Sequence, residues 1–148
     1  MFYQDVYGNV FEPASWFDKV PNDLQWSELF DACYHQGSIT TGSYAVVPHI
    51  VDSIAKHGIF DWEPYALVAA IEEARLTDPA PAMPSELKDT YFEAYQKLAE
   101  HSLRVFPDAS DPLLVRSVLA VLSLSKGQVS IATFAMLTES EQLELLGS

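Results

Sequence analysis

Apolar residues recur along most of this chain every three or four positions, the period of a helix with one buried face. Trp26, Leu29, Phe30 and Cys33 mark a first helix. Asn22 with Gln25 fits a capping box at its start, and Gly37 is placed to end it. A second helix is predicted over 41–57, with Tyr44, Val47, Val51 and Ile54 in one stripe, Ile50 beside it, and Gly58 as its stop. Pro48 falls inside that stretch. Proline lacks an amide proton and crowds the preceding turn, so a kink or interruption near Ala45 is expected.

Asp61 is placed to cap a third helix, with Pro64 tolerated in its first turn and Tyr65, Val68, Ala69, Glu72 and Leu76 along its length. Ala66, Ala69, Ala70 and Ala74 would let a neighbour approach closely. The stiff stretch DPAPAMP, residues 78–84, reads as a linker between helices. Ser85 is the expected cap of a long fourth helix whose apolar stripe is Leu87, Tyr91, Tyr95, Leu98 and Phe106. Glu93, Lys97, Glu100 and Arg104 lie largely off that stripe.

Asp111-Pro112 is a strong start signal for a fifth helix, with proline at the first helical position. Leu113, Leu114, Val115, Val118, Leu119, Val121 and Leu122 make it apolar nearly all round, which predicts a central strut buried on several sides. Gly127 breaks it. A short helix over 129–137 follows, and Thr138 with Glu141 makes a capping box for a last helix ending at Leu146. No long alternating strand appears.

The N-terminal segment, 1–21, differs. Phe2, Tyr3, Tyr7, Phe11, Trp16 and Phe17 crowd it, Gly8-Asn9 could turn a short hairpin, and Pro13 and Pro21 frame a loop. Its rings are expected to cap one end of a helical core. The chain is therefore predicted to be one all-α domain over 1–148: the cap, a first helical half over 22–77 and a second over 85–146. Six or seven helices in antiparallel pairs would make a short α-solenoid or an irregular bundle.

Composition narrows the function. The 148 residues are 49% apolar, which excludes an extended disordered chain despite a net charge of −13. With 21 acids against 8 bases, the field repels nucleic acid and anionic membranes and favours a basic partner. The start MFYQDVYGN has neither basic residues nor an apolar run, so no secretory signal is read there. The most apolar stretch, 113–124, is too short to span a bilayer. A single cysteine, Cys33, allows no internal disulfide, and the expected compartment is the cytoplasm.

Little in the chain carries catalysis. Cys33 and His35 point about 200° apart on a helix and share no face. His49 and His57 are two turns distant, and no zinc-type spacing exists, so no metal or other cofactor is expected. Cys33 lies in an apolar stripe, where a lone cysteine is usually a small buried hydrophobe. Glu72-Glu73 and the Asp108/Asp111 pair are ordinary for an acidic protein. The stretch CYHQGSITTGSYAVVPHI, 33–50, supports two readings. In one, Gly37, Tyr44 and Pro48 build a helix–helix corner with His35 and Gln36 in the last turn of the first helix. In the other, His35, Gln36, Ser43 and His49 face a partner.

His35-Gln36-Gly37, Ser43-Tyr44-Ala45 and Val47-Pro48-His49, preceded by Trp26 and Leu29, form a pattern similar to one in small bacterial HEAT-like proteins, over about residues 24 to 76. Many of those are encoded beside polymorphic or contact-dependent toxins and are treated as immunity proteins. The resemblance implies a non-catalytic helical module that binds a cognate toxin directly. Beside it, the acidic balance suggests a basic, nuclease-like partner. Glu72, Glu73, Glu93 and Glu100, on the third and fourth helices, are the candidate acidic contacts. A helical scaffold or adaptor is the alternative reading, and a small hydrolase ranks below it.

Overall fold

The computed structural model describes residues 2–18, 25–59, 61–77 and 79–147. Asn22, Pro21 and Asp78, named above as helix cap, loop frame and linker start, lie outside the described residues. Within the described residues the protein is all-α, with seven α-helices and one two-stranded hairpin.

The hairpin pairs β1 (Tyr3–Gln4) antiparallel with β2 (Val10–Phe11), Tyr3 opposite Phe11. Asp5 organises its turn. One carboxylate oxygen accepts the amides of Tyr7 and Asn9, both at 2.9 Å, and the other accepts Asn9 Nδ2 at 3.2 Å. A short 3-10 helix, Pro13–Phe17, follows. The hairpin sits on the helices through backbone contacts. Val6 N–H donates to the Ala32 carbonyl (2.9 Å) and Thr40 Oγ1 to the Gln4 carbonyl (2.7 Å). Gly42 makes this approach possible, because a Cβ there would stand 2.9 Å from Phe11 Cδ1 and 3.0 Å from the Gln4 carbonyl oxygen.

Helix α1 (Trp26–Cys33) buries Trp26, Leu29 and Cys33. It ends four residues before Gly37, which corrects the expected stop. Residues 35–38 form a separate tight turn in which His35 and Ser38 exchange both backbone hydrogen bonds, at 3.1 and 2.8 Å. Gln36 (φ +48°) and Gly37 (φ +84°) are both left-handed, as a type I′ turn requires. His35 and Gln36 therefore belong to a turn and not to the last turn of a helix.

Helix α2 (Thr41–His57) has the predicted bounds and stops at Gly58. It runs unbroken through Pro48, so no interruption occurs at Ala45. The missing amide removes one bond from the ladder, and packing of α2 on both faces carries the helix across it. Helix α3 (Trp62–Thr77) begins directly after Asp61 and is buried from Pro64 through Glu72 and at Ala74. Helix α4 (Ser85–Val105) starts with Ser85 as a helical residue; the cap position is Pro84, which offers no side-chain bond. A 3-10 turn, Phe106–Asp108, leads to α5 (Pro112–Ser125), where Asp111 Oδ2 accepts the Leu114 amide at 3.0 Å. Helix α6 (Val129–Met136) follows Gly127. Helix α7 (Glu139–Gly147) is capped by Thr138 Oγ1, which accepts the Glu141 amide at 3.2 Å.

The most extensive packing joins α3 to α5 and α2 to α4, with α6 laid on α5. The central strut is α3, not α5. Four alanines let α1, α2, α5 and α6 close around α3, whereas Leu113 and Leu119 of α5 remain exposed. One continuous apolar cluster runs from Phe11 to Ala135 and draws on both halves of the chain.

Candidate partner-binding surface

The eight candidate contact residues do not form one surface. Ser43 is fully buried. Its hydroxyl donates to the Cys33 carbonyl (2.7 Å) and accepts the Thr40 amide (3.0 Å), tying the end of α1 to the start of α2. Tyr44 is likewise internal, with its hydroxyl on the Pro81 carbonyl at 2.7 Å and its ring edge-on to Tyr91. His49 is half-buried and stacked on Phe17, ring centroids 5.8 Å apart. Burial pushes its pKa down, with Asp52 opposing the shift. Ser43 and Tyr44 hold the corner together from inside and cannot greet a partner, while His49 keeps an edge on a surface cleft with Tyr3, Pro13 and Leu87.

Glu72 is a further correction. It is buried, and Arg75 clamps both its oxygens, Nε at 2.5 Å and Nη2 at 3.0 Å. The Tyr91 hydroxyl donates to Glu72 Oε1 at 3.0 Å, and the Phe92 ring lies 5.1 Å from the guanidinium. Burial and the Glu72 charge together push the Tyr91 pKa up. A buried carboxylate is tolerable because charge and hydrogen-bonding capacity are both met. Glu73 beside it is half-buried. Glu93 is exposed and paired with Lys97 at 3.3 Å. Glu100 is exposed on the rim between two clefts, one of about 400 Å³ between α2 and α4 and one of about 700 Å³ between α4 and α5.

His35 and Gln36 do stand at the surface, and the N-terminal hairpin supplies the company that sequence reasoning missed. The Tyr7 ring packs on His35 at 5.6 Å, and its hydroxyl donates to Asp31 Oδ1 at 2.8 Å while lying 3.4 Å from His35 Nδ1. The Asp31 bond and the neighbouring carboxylates push the Tyr7 phenol pKa up, so the group stays a donor. Glu28, one turn before Asp31 on α1, shares its exposed face. Phe2 and Val10, on either side of the hairpin, are 87% and 75% exposed. Tyr7, His35, Asp31 and Glu28 thus form an exposed face in which carboxylates flank an aromatic pair, with no Lys or Arg among them. One signal in the sequence pointed there. Residues 1–50 hold six acids (Asp5, Glu12, Asp18, Asp23, Glu28, Asp31) and a single base, Lys19.

Groups with catalytic potential are dispersed. Cys33 is buried, and burial followed by the Asp5 charge pushes its thiol pKa up, away from a nucleophilic thiolate. His101, in the α2–α4 cleft, is stacked on Tyr65, and its buried Nε2 has no hydrogen-bond partner among the described residues. Among those residues no three His, Cys, Asp or Glu converge as a metal cluster. No described helix is long and apolar enough to cross a membrane. No family model matches the chain, and neither a curated protein nor a solved structure matches it.

Proposed function

We propose that this chain is a non-catalytic binding module whose partner is a basic protein, and that it inhibits a cognate toxin by occupying it, as the resembling immunity proteins are held to do. The observation that carries the reading is the hairpin–α1 face. Tyr7 is 53% exposed yet fixed in orientation by Asp31 and His35. A pre-positioned aromatic anchor is the kind of group that dominates interface energy. Glu28, Asp31 and the net charge of −13 would speed encounter with a basic surface. Ser43, buried beneath it, ties the end of α1 to α2 and does not belong to the face.

The test is affinity capture from the native host with the whole chain as bait, washed at low and moderate salt, beside a Tyr7→Ala/Asp31→Lys variant. One basic protein should be retained stoichiometrically by the native chain. The variant should lose about tenfold or more in affinity, the loss of one hot spot. Co-expression of the chain should relieve any growth defect the captured protein causes. Absence of a basic partner in a host shown to express one, or equal capture by the variant, would overturn the reading.

A further inference from the structure

A third cleft, of about 420 Å³, lies where the hairpin and the 3-10 helix meet α2 and the start of α4. Pro13, Pro48 and Leu87 give it apolar walls, and Tyr3, Glu12 and His49 join them in its lining. The Tyr3 hydroxyl, the Glu12 carboxylate and the His49 imidazole have no hydrogen-bond or ion-pair partner among the described residues. An apolar cleft edged by a few unpaired polar groups is the usual form of a recognition pocket.

The chemistry of those groups selects what enters. Glu12 is exposed, and it is the one charged residue in the lining at neutral pH. Burial pushes the His49 pKa below the ordinary 6.5, so its ring is uncharged there and offers one nitrogen as an acceptor. No described Lys or Arg lines the cleft; Lys88 of α4 is exposed outside it. Glu86, in the first turn of α4, matches the positive end of that helix. A carboxylate, a phenol oxygen and an imidazole nitrogen call for a cation rich in donors. A guanidinium presents five N–H groups in one plane, stacks on aromatic rings and is less firmly hydrated than an ammonium. Its aliphatic stem suits walls of proline and leucine. The volume is near the lower end for ligand pockets, about 300–1,000 Å³, which fits one side chain better than a helix about 10–12 Å across. We propose that this cleft receives an arginine side chain of the basic partner. It lies at the open end of the hairpin, whereas Tyr7 stands in the turn, so the two would be separate points of contact. The proposal rests on the reading above only for the source of the arginine.

Two measurements separate the pocket from that source. In the first, the isotope-labelled whole chain is titrated with N-acetyl-arginine amide and followed by heteronuclear NMR. The amides of Glu12, Ala14 and His49 should shift saturably, with a dissociation constant of about millimolar order. The corresponding citrulline amide, of the same shape without the charge, should bind about tenfold or more weakly. Glu12→Gln should weaken the arginine probe by a similar factor, and Tyr3→Phe by less. Neither polar group holds another described residue, so circular dichroism melting should be unchanged in both variants. A probe that leaves the cleft amides unmoved overturns the pocket, as does citrulline binding as well as arginine. In the second, the basic partner is captured with the native chain and with Glu12→Gln. Weaker capture by the variant supports the arginine contact. Equal capture overturns it and leaves the Tyr7 face standing. Saturable probe binding by a chain that captures no basic partner overturns the reading above and keeps the pocket.

Discussion

Helices α3 and α5 pack on one another, yet the less apolar of the two is the one enclosed. Over Pro64–Glu72 every residue of α3 is buried, including a carboxylate, while α5, whose polar residues are Arg116 and three serines, leaves Leu113 and Leu119 in solvent. Apolar content therefore does not rank burial here; side-chain size does. Alanines at 66, 69, 70 and 74 bring four neighbouring helices close to α3. Helix α5 packs on α3, α4 and α6, and its remaining side, with Leu113 and Leu119, is left in solvent.

Substitutions on the two helices should separate them sharply. The largest effect is expected at Glu72→Ala, which leaves Arg75 and the Tyr91 hydroxyl without their shared acceptor. Breaking a buried pair from one side costs about 3–5 kcal/mol, read as a drop in the urea midpoint. Glu72→Gln should recover part of it by still accepting from Tyr91. Next, Ile71→Ala in α3 should cost about 2–5 kcal/mol, whereas Leu119→Ala on the open side of α5 should cost well under that. Equal losses at the two positions would break the comparison.

The size argument extends to α2. Gly42→Ala places a methyl group against Phe11 and the Gln4 carbonyl, and the overpacking should cost about 1–3 kcal/mol. The hairpin should loosen, which faster amide exchange at Val6 would report. The smallest effect concerns pH. His101 lies on Tyr65 of α3, and burial, then Arg104, lowers its pKa from the ordinary 6.5. The folded chain thus binds this proton at lower pH than the unfolded chain does. Stability should be full above about pH 6.5 and fall as pH drops below it. His49 adds in the same sense. Urea midpoints at pH 7.5 and 5.5 should differ less in His101→Gln.

Much of the helix layout was legible because it is written in local chemistry. Gly58, Asp111-Pro112, Gly127 and Thr138 act within one turn of where they stand, and each bounds a helix as read. What escaped depends on residues distant in the chain. Gly37 suits a helix stop and a type I′ turn equally; the choice is made when Ser43 takes the Cys33 carbonyl across ten positions. Arg75 stands three residues from Glu72, but Tyr91, nineteen away, completes the burial. Of the candidate residues, His35, Gln36, Glu93 and Glu100 are exposed. Tyr7, the neighbour of His35, reads in sequence only as part of a cap, because a contact across twenty-eight positions leaves no periodic trace.

The buried Cys33 also makes the molecule its own clock. It is the one thiol, it sits at the last residue of α1, and it is 1% exposed with its pKa raised by burial. A thiol reagent can reach it only when α1 lifts from α2 and α3. The labelling rate of an unmodified chain therefore times the opening of the layer beneath the hairpin, with no engineered probe. Slower labelling once a partner is added would mean that binding latches this layer shut.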